Sequence, residues 1–79
     1  MIVLYVVPDC PLCENVRVWF NQRNVQYVER DVAKDFGALR AMYKLTRQNL
    51  VPVVQMNDRA IVRPTHGELQ QLFSPGQKP

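Results

Sequence analysis

The chain has two cysteines, Cys10 and Cys13, and both lie in the stretch Asp9-Cys10-Pro11-Leu12-Cys13. Thiols at this spacing can close a small disulfide loop, supply half of a metal site, or exchange disulfides with a substrate. As a staple the pair is weak. A loop of about four residues constrains the unfolded chain by roughly 1.9 kcal/mol, against roughly 3 for fifteen residues, and it fastens nothing distant. A closed zinc site needs about four nitrogen or sulfur ligands. Beyond the cysteines the chain offers one histidine, His66, so a metal or an iron-sulfur cluster would have to be shared with a second chain. Disulfide exchange needs one thiol held as thiolate and a second to resolve the mixed disulfide. If Cys10 caps a helix whose first residue is Pro11, its sulfur lies against the unpaired amides of the first turn. The helix dipole contributes about 0.3–1 kcal/mol there, and at most about 2, which lowers a thiol pKa by roughly one unit. Thiols of CxxC pairs at helix starts span pKa values of about 3.5–7.5. On this reading Cys10 is the nucleophile and Cys13, one turn further in, is the resolving thiol.

Zinc ribbons and chance also supply CxxC, so the elements that position the pair matter. The run Ile2-Val3-Leu4-Tyr5-Val6-Val7 is apolar without alternation, which predicts a central strand covered on both faces. After Pro8 and Asp9 the period changes. Leu12, Val16, Trp19 and Phe20, with Arg23 at the end, fall at helical spacing and predict a helix from Pro11 to Arg23. Gln26 to Val32 alternates in part and predicts an outer strand after the break at Asn24. From Lys34 to Leu45, Phe36, Leu39, Met42 and Tyr43 predict the apolar face of a second helix despite Gly37. Val51 to Met56 reads as a strand that begins through Pro52, and Asn57-Asp58 turns it into an antiparallel partner, Ala60 to Val62. Thr65-His66-Gly67-Glu68 matches a capping box that starts a third helix with Leu69, Leu72 and Phe73 on its apolar face. Ser74 to Pro79 is a polar tail, expected to be disordered. The order βαβαββα predicts an α/β domain over 1–73, a four-stranded mixed sheet flanked by three helices, with a flexible tail at 74–79.

Seventy-nine residues, 47% of them apolar and 22% charged, bound the chain to one globular domain with a small core. The net charge of +3 comes from scattered arginines and lysines without a dense tract, so no nucleic-acid partner is expected. Ile2 to Val7 is too short to cross a membrane or to serve as the apolar segment of a secretory signal, and no basic residue precedes it. A cytoplasmic, monomeric protein without a membrane partner is the expectation.

The strand-CPLC-helix arrangement, the Val51-Pro52 step and the βαβαββα order make the chain resemble a glutaredoxin of the thioredoxin fold over nearly all of Met1 to Phe73. The resemblance implies a thiol-disulfide oxidoreductase with catalytic Cys10 and Cys13. It implies that Pro52 is cis and stands beside the CxxC, that Val51 offers its backbone to the substrate, and that Pro11, Leu12, Arg63 and Thr65 complete the substrate site. No tightly bound cofactor is implied. Protein or glutathione mixed disulfides are the implied substrates, with reducing equivalents from glutathione or from a thioredoxin reductase.

The chain also departs from that pattern. Val7, Leu50, Val62-Arg63 and Thr65-His66 stand where glutaredoxins usually hold glutathione with a basic residue, a Thr, and a Gly-Gly pair followed by an acid. Arg63-Pro64 instead resembles the glutaredoxin-like redoxins that serve ribonucleotide reductase and are reduced by thioredoxin reductase, although the usual Trp and Gly before that pair are missing. A further resemblance, to arsenate reductase-like proteins, rests on Cys13 to Phe20 and Tyr27 to Asp31, and the chain has no room for that family's extra helical segment. The competing class is a binding module that uses the CxxC for metal or protein docking without turnover.

Around the cysteines, Asp9 and Glu14 are expected to oppose thiolate, to the extent that solvent does not screen them. Arg40, Lys44 and Arg47 form a possible basic stripe, against the simpler reading of a solvated face. Trp19 and Phe20 are expected to be core for at least one ring, and His66 to point to solvent. Arg63 is the candidate for partner selection, against a plain loop cation.

Overall fold

Leu4, Tyr5 and Val6 are consecutive and all buried in β1 (Ile2–Val6). Successive strand residues point to opposite faces, so both faces of β1 are covered. The computed structural model describes residues 1–73. β1 lies inside a four-stranded sheet of order β2-β1-β3-β4. It pairs in parallel with β2 (Val28–Asp31), matching Tyr5 with Arg30, and antiparallel with β3 (Val53–Met56), matching Tyr5 with Val53. β3 pairs antiparallel with β4 (Arg59–Val62). Asn57, at φ 58° in the turn between them, takes a left-handed conformation that asparagine tolerates. Tyr5 is 2% exposed, and its hydroxyl donates to Gln55 Oε1 at 2.7 Å, so the buried phenol is satisfied.

The helices are α1 (Pro11–Gln22), α2 (Phe36–Thr46) and α3 (His66–Phe73), which completes the expected mixed sheet with three helices. α1 and α3 meet in an aromatic cluster: Phe73 packs tilted against Trp19 and edge-to-face against Phe20, at 5.8 and 5.5 Å between ring centroids, and Phe20 reaches Tyr27 at 4.9 Å. Both Trp19 and Phe20 are buried, and a fully buried aromatic ring of this kind contributes about 1.5–3 kcal/mol. Arg23, at the end of the expected apolar stripe, lays its guanidinium over Trp19 at 4.1 Å.

α2 packs against β2 and β4 by a face shifted from the one the spacing predicts: Met42 and Leu39 turn to the core as expected, while Phe36 and Tyr43 do not. Ala38 and Met42 are buried, whereas Phe36 is 70% and Tyr43 44% exposed. The helix starts later than Lys34, because Asp35 caps it by accepting the Ala38 N–H on Oδ1 at 3.1 Å. Phe36 is then turned about 200° from Ala38 at roughly 100° per residue, and Tyr43, two turns on, shares its outward face.

Several element ends also shift. β2 begins at Val28 rather than Gln26 and stops before the buried Val32, and β3 begins after Pro52, which has no N–H to give a ladder. The tail expected at 74–79 lies outside the described residues. Among those described, no helix is long and apolar enough to cross a membrane.

Candidate active site

Cys10 is the N-cap of α1, with φ −117° and ψ 102°, and Pro11 is the first helical residue. Its Sγ accepts the Cys13 N–H at 3.1 Å, and its carbonyl accepts the Glu14 N–H at 3.0 Å. One otherwise orphaned amide of the first turn therefore points at sulfur. Cys10 and Cys13 form a disulfide with Cα atoms 5.2 Å apart. The two sulfurs are unequal: Cys13 is fully buried, while Cys10 is partly open to solvent. An attacking or attacked sulfur must come through Cys10.

A second wall faces the first turn of α1. The Val51–Pro52 peptide bond is cis, and both residues are buried. Across the sheet end from them, Arg63 sits at φ 48°, a left-handed conformation uncommon outside glycine and asparagine. Its N–H donates to the Pro52 carbonyl at 2.8 Å, and its Nε donates to the Val51 carbonyl, also at 2.8 Å. α3 follows through a reciprocal capping box, with the Glu68 N–H on Thr65 Oγ1 at 3.1 Å and the Thr65 N–H on Glu68 Oε1 at 2.8 Å. Between the walls runs a groove of about 300 Å³, bounded by Leu12, Asn15 and Val16 on one side and by Pro52 and Arg63 to His66 on the other.

The groove brings together Leu12, Pro52, Arg63 and Thr65. Pro11 is exposed beside it at the helix start, and Val51 stands behind Arg63 with its carbonyl already engaged. His66 is exposed, as expected, yet also lines the groove. Asn15 escaped the sequence reading, and Pro64 entered it only as part of the Arg63-Pro64 pair, not as a groove residue. Asn15 follows Leu12 by three residues, so helical spacing from the CxxC would have found it, and Pro64 is fixed beside Arg63 by the chain itself.

Glu14, expected to oppose thiolate, is paired. Arg17 takes Glu14 at 2.9 Å and Glu29 at 2.6 Å, linking α1 to β2. The hydrogen bond to Glu29 is the main cause holding Arg17 further toward its charged form than an ordinary arginine; burial opposes it, and the hydrogen bond to Glu14 adds to it. Asp9, at φ 56°, is exposed in front of Cys10. The expected basic stripe is split: Arg40 and Lys44 border a separate groove of about 360 Å³ with Leu39, Tyr43 and Asn49, while Arg47 is the left-handed cap that ends α2.

Residues 2–61 match the family model described as Glutaredoxin. An uncharacterised glutaredoxin-like 8.6 kDa protein in a rubredoxin operon of Clostridium pasteurianum is 31% identical over 73 residues, covering 92% of this chain and 97% of that one. The crystal structure of the thioredoxin-like protein BC3987 superposes with a TM-score of 0.86 at 32% identity, covering 92% of this chain and all (100%) of the other. A glutaredoxin from Archaeoglobus fulgidus shares the fold with a TM-score of 0.84 at 17% identity, over 92% of this chain and 85% of that chain.

Proposed function

Because the chain belongs to the glutaredoxin family, we propose that it is a thiol-disulfide oxidoreductase that reduces protein or glutathione mixed disulfides by a dithiol mechanism. The observation that carries this reading is the Cys10 sulfur at the helix N-cap, accepting the Cys13 N–H at 3.1 Å while Cys13 itself is buried. In the reduced protein the Cys10 thiolate attacks one sulfur of the substrate disulfide. A Cys10–substrate bond forms as the substrate S–S bond breaks, and the first substrate thiol leaves. The Cys13 thiolate then attacks the Cys10 sulfur, closing the Cys10–Cys13 disulfide and releasing the second thiol. Two electrons pass from the protein to the substrate.

Two donors can return them, glutathione or a thioredoxin reductase. Val7, Leu50 and the Val62-Arg63 and Thr65-His66 pairs replace residues that usually hold glutathione, which favours thioredoxin reductase. Reduction of a mixed disulfide by wild type and by Cys10→Ser tests the catalytic reading. The variant is expected to lose activity, and equal rates would sink the mechanism.

A further inference from the structure

We propose that Arg63 selects the substrate: the groove takes disulfides of protein segments that carry a carboxylate side chain beside the reacting cysteine. This rests on the oxidoreductase reading above and adds the chemistry of the segment that is recognised.

Arg63 is anchored twice, through its N–H to Pro52 and through its Nε to Val51, each at 2.8 Å. An exposed arginine ordinarily loses rotamer freedom when it pairs, whereas one already fixed by folding loses less. A guanidinium carries about five N–H donors in a rigid fork. Among the described residues only Nε of Arg63 is engaged, which leaves both Nη groups for a ligand.

Among the described residues, the rest of the groove carries no carboxylate. Leu12, Pro52 and Pro64 are apolar, Thr65 is neutral, and His66 adds a second group able to carry positive charge. Of the acids on the flanking elements, Glu68 has Oε1 committed to the Thr65 N–H, Glu14 is paired with Arg17, and Asp9 is exposed ahead of Cys10 without lining the groove. Leu12 lies between the two cysteines in sequence and on the wall facing Arg63. A segment whose disulfide reaches Cys10 and that continues along the groove past Leu12 would set a neighbouring side chain against the guanidinium. Apolar walls strengthen a charge pair relative to open water, and the fork matches a carboxylate in two parallel bonds.

The test uses pre-reduced protein and symmetric disulfides of terminally blocked peptides with Glu, Gln or Lys next to the cysteine, following released thiol in a single turnover. Wild type is expected to reduce the Glu peptide about tenfold faster than the Gln peptide, with Lys slower still. That preference should collapse in about 1 M salt, where the screening length is roughly 3 Å. Arg63→Met should bring the Glu-to-Gln ratio close to unity, and Arg63→Lys should restore part of it. Equal wild-type rates, or a preference for Lys, overturn the proposal without any variant. Glutathione disulfide reduced about tenfold faster than the Glu peptide would assign the groove to glutathione and overturn it as well. The oxidoreductase reading fails separately, if no peptide releases thiol. In that event, titration of S-methylated Glu and Gln peptides against the Arg63 Nε–H resonance still decides: a shift with Glu alone supports the proposal, and equal responses reject it.

Discussion

The Cys13 N–H lies 3.1 Å from the Cys10 sulfur, so the buried cysteine supplies, through its backbone, a hydrogen bond to its partly open partner. The same amide stabilises negative charge on that sulfur when the disulfide is reduced. A Cys10 pKa below the free-thiol value of about 8.5 is expected. Iodoacetamide alkylation of reduced protein across pH measures it, and a midpoint at or above about 8.5 would contradict the arrangement.

The electron donor can be read from NADPH consumption. Oxidised protein is expected to draw NADPH faster with thioredoxin reductase than with glutathione and glutathione reductase. The reverse order would make it an ordinary glutathione-dependent member of the family.

The face by which α2 meets the sheet gives a stability test. Met42→Ala should cost about 2–5 kcal/mol, because Met42 is fully buried. Phe36→Ala should stay within about 0.5 kcal/mol, since Phe36 is 70% exposed. Urea unfolding of the two variants compares them, and a larger loss at Phe36 would mean that the helix packs by the other face.

Tyr27 should set part of the alkaline limit. Burial, and after it the Glu29 carboxylate, push its phenol above the ordinary value. The folded state thus favours neutral Tyr27. The stability it brings is complete below the unfolded pKa of about 10 and is lost as pH rises through the raised folded value. Wild type is therefore expected to lose stability between the two, and Tyr27→Phe to lose less there. Unfolding midpoints measured from pH 9 upward check this, and parallel curves would refute it.

Much of this was legible in the sequence because it is local. The change from an unbroken apolar run to a helical period at Pro11 gave β1, α1 and the Cys10 cap, and Thr65 with Glu68 gave the start of α3. The α2 face was half legible: Met42 and Leu39 turn inward as their spacing predicts, but apolar size misleads where a small residue makes the seam, since Ala38 carries little hydrophobic weight while exposed Phe36 and Tyr43 carry much. The Arg63 bond to Val51 spans twelve positions and depends on a left-handed backbone at a residue that does not advertise one. No periodicity encodes such a contact.

The clasp of Arg17 on Glu29 has a meaning beyond the site. β2 and β4 are the outer strands of the sheet, and outer strands are where a second molecule can add itself by backbone pairing. β2 is only four residues long, carries Glu29, Arg30 and Asp31, and has one of those charges tied back to α1. β4, equally short, opens with exposed Arg59. Short, charged borders of this kind discourage sheet-to-sheet aggregation when the protein is crowded with copies of itself.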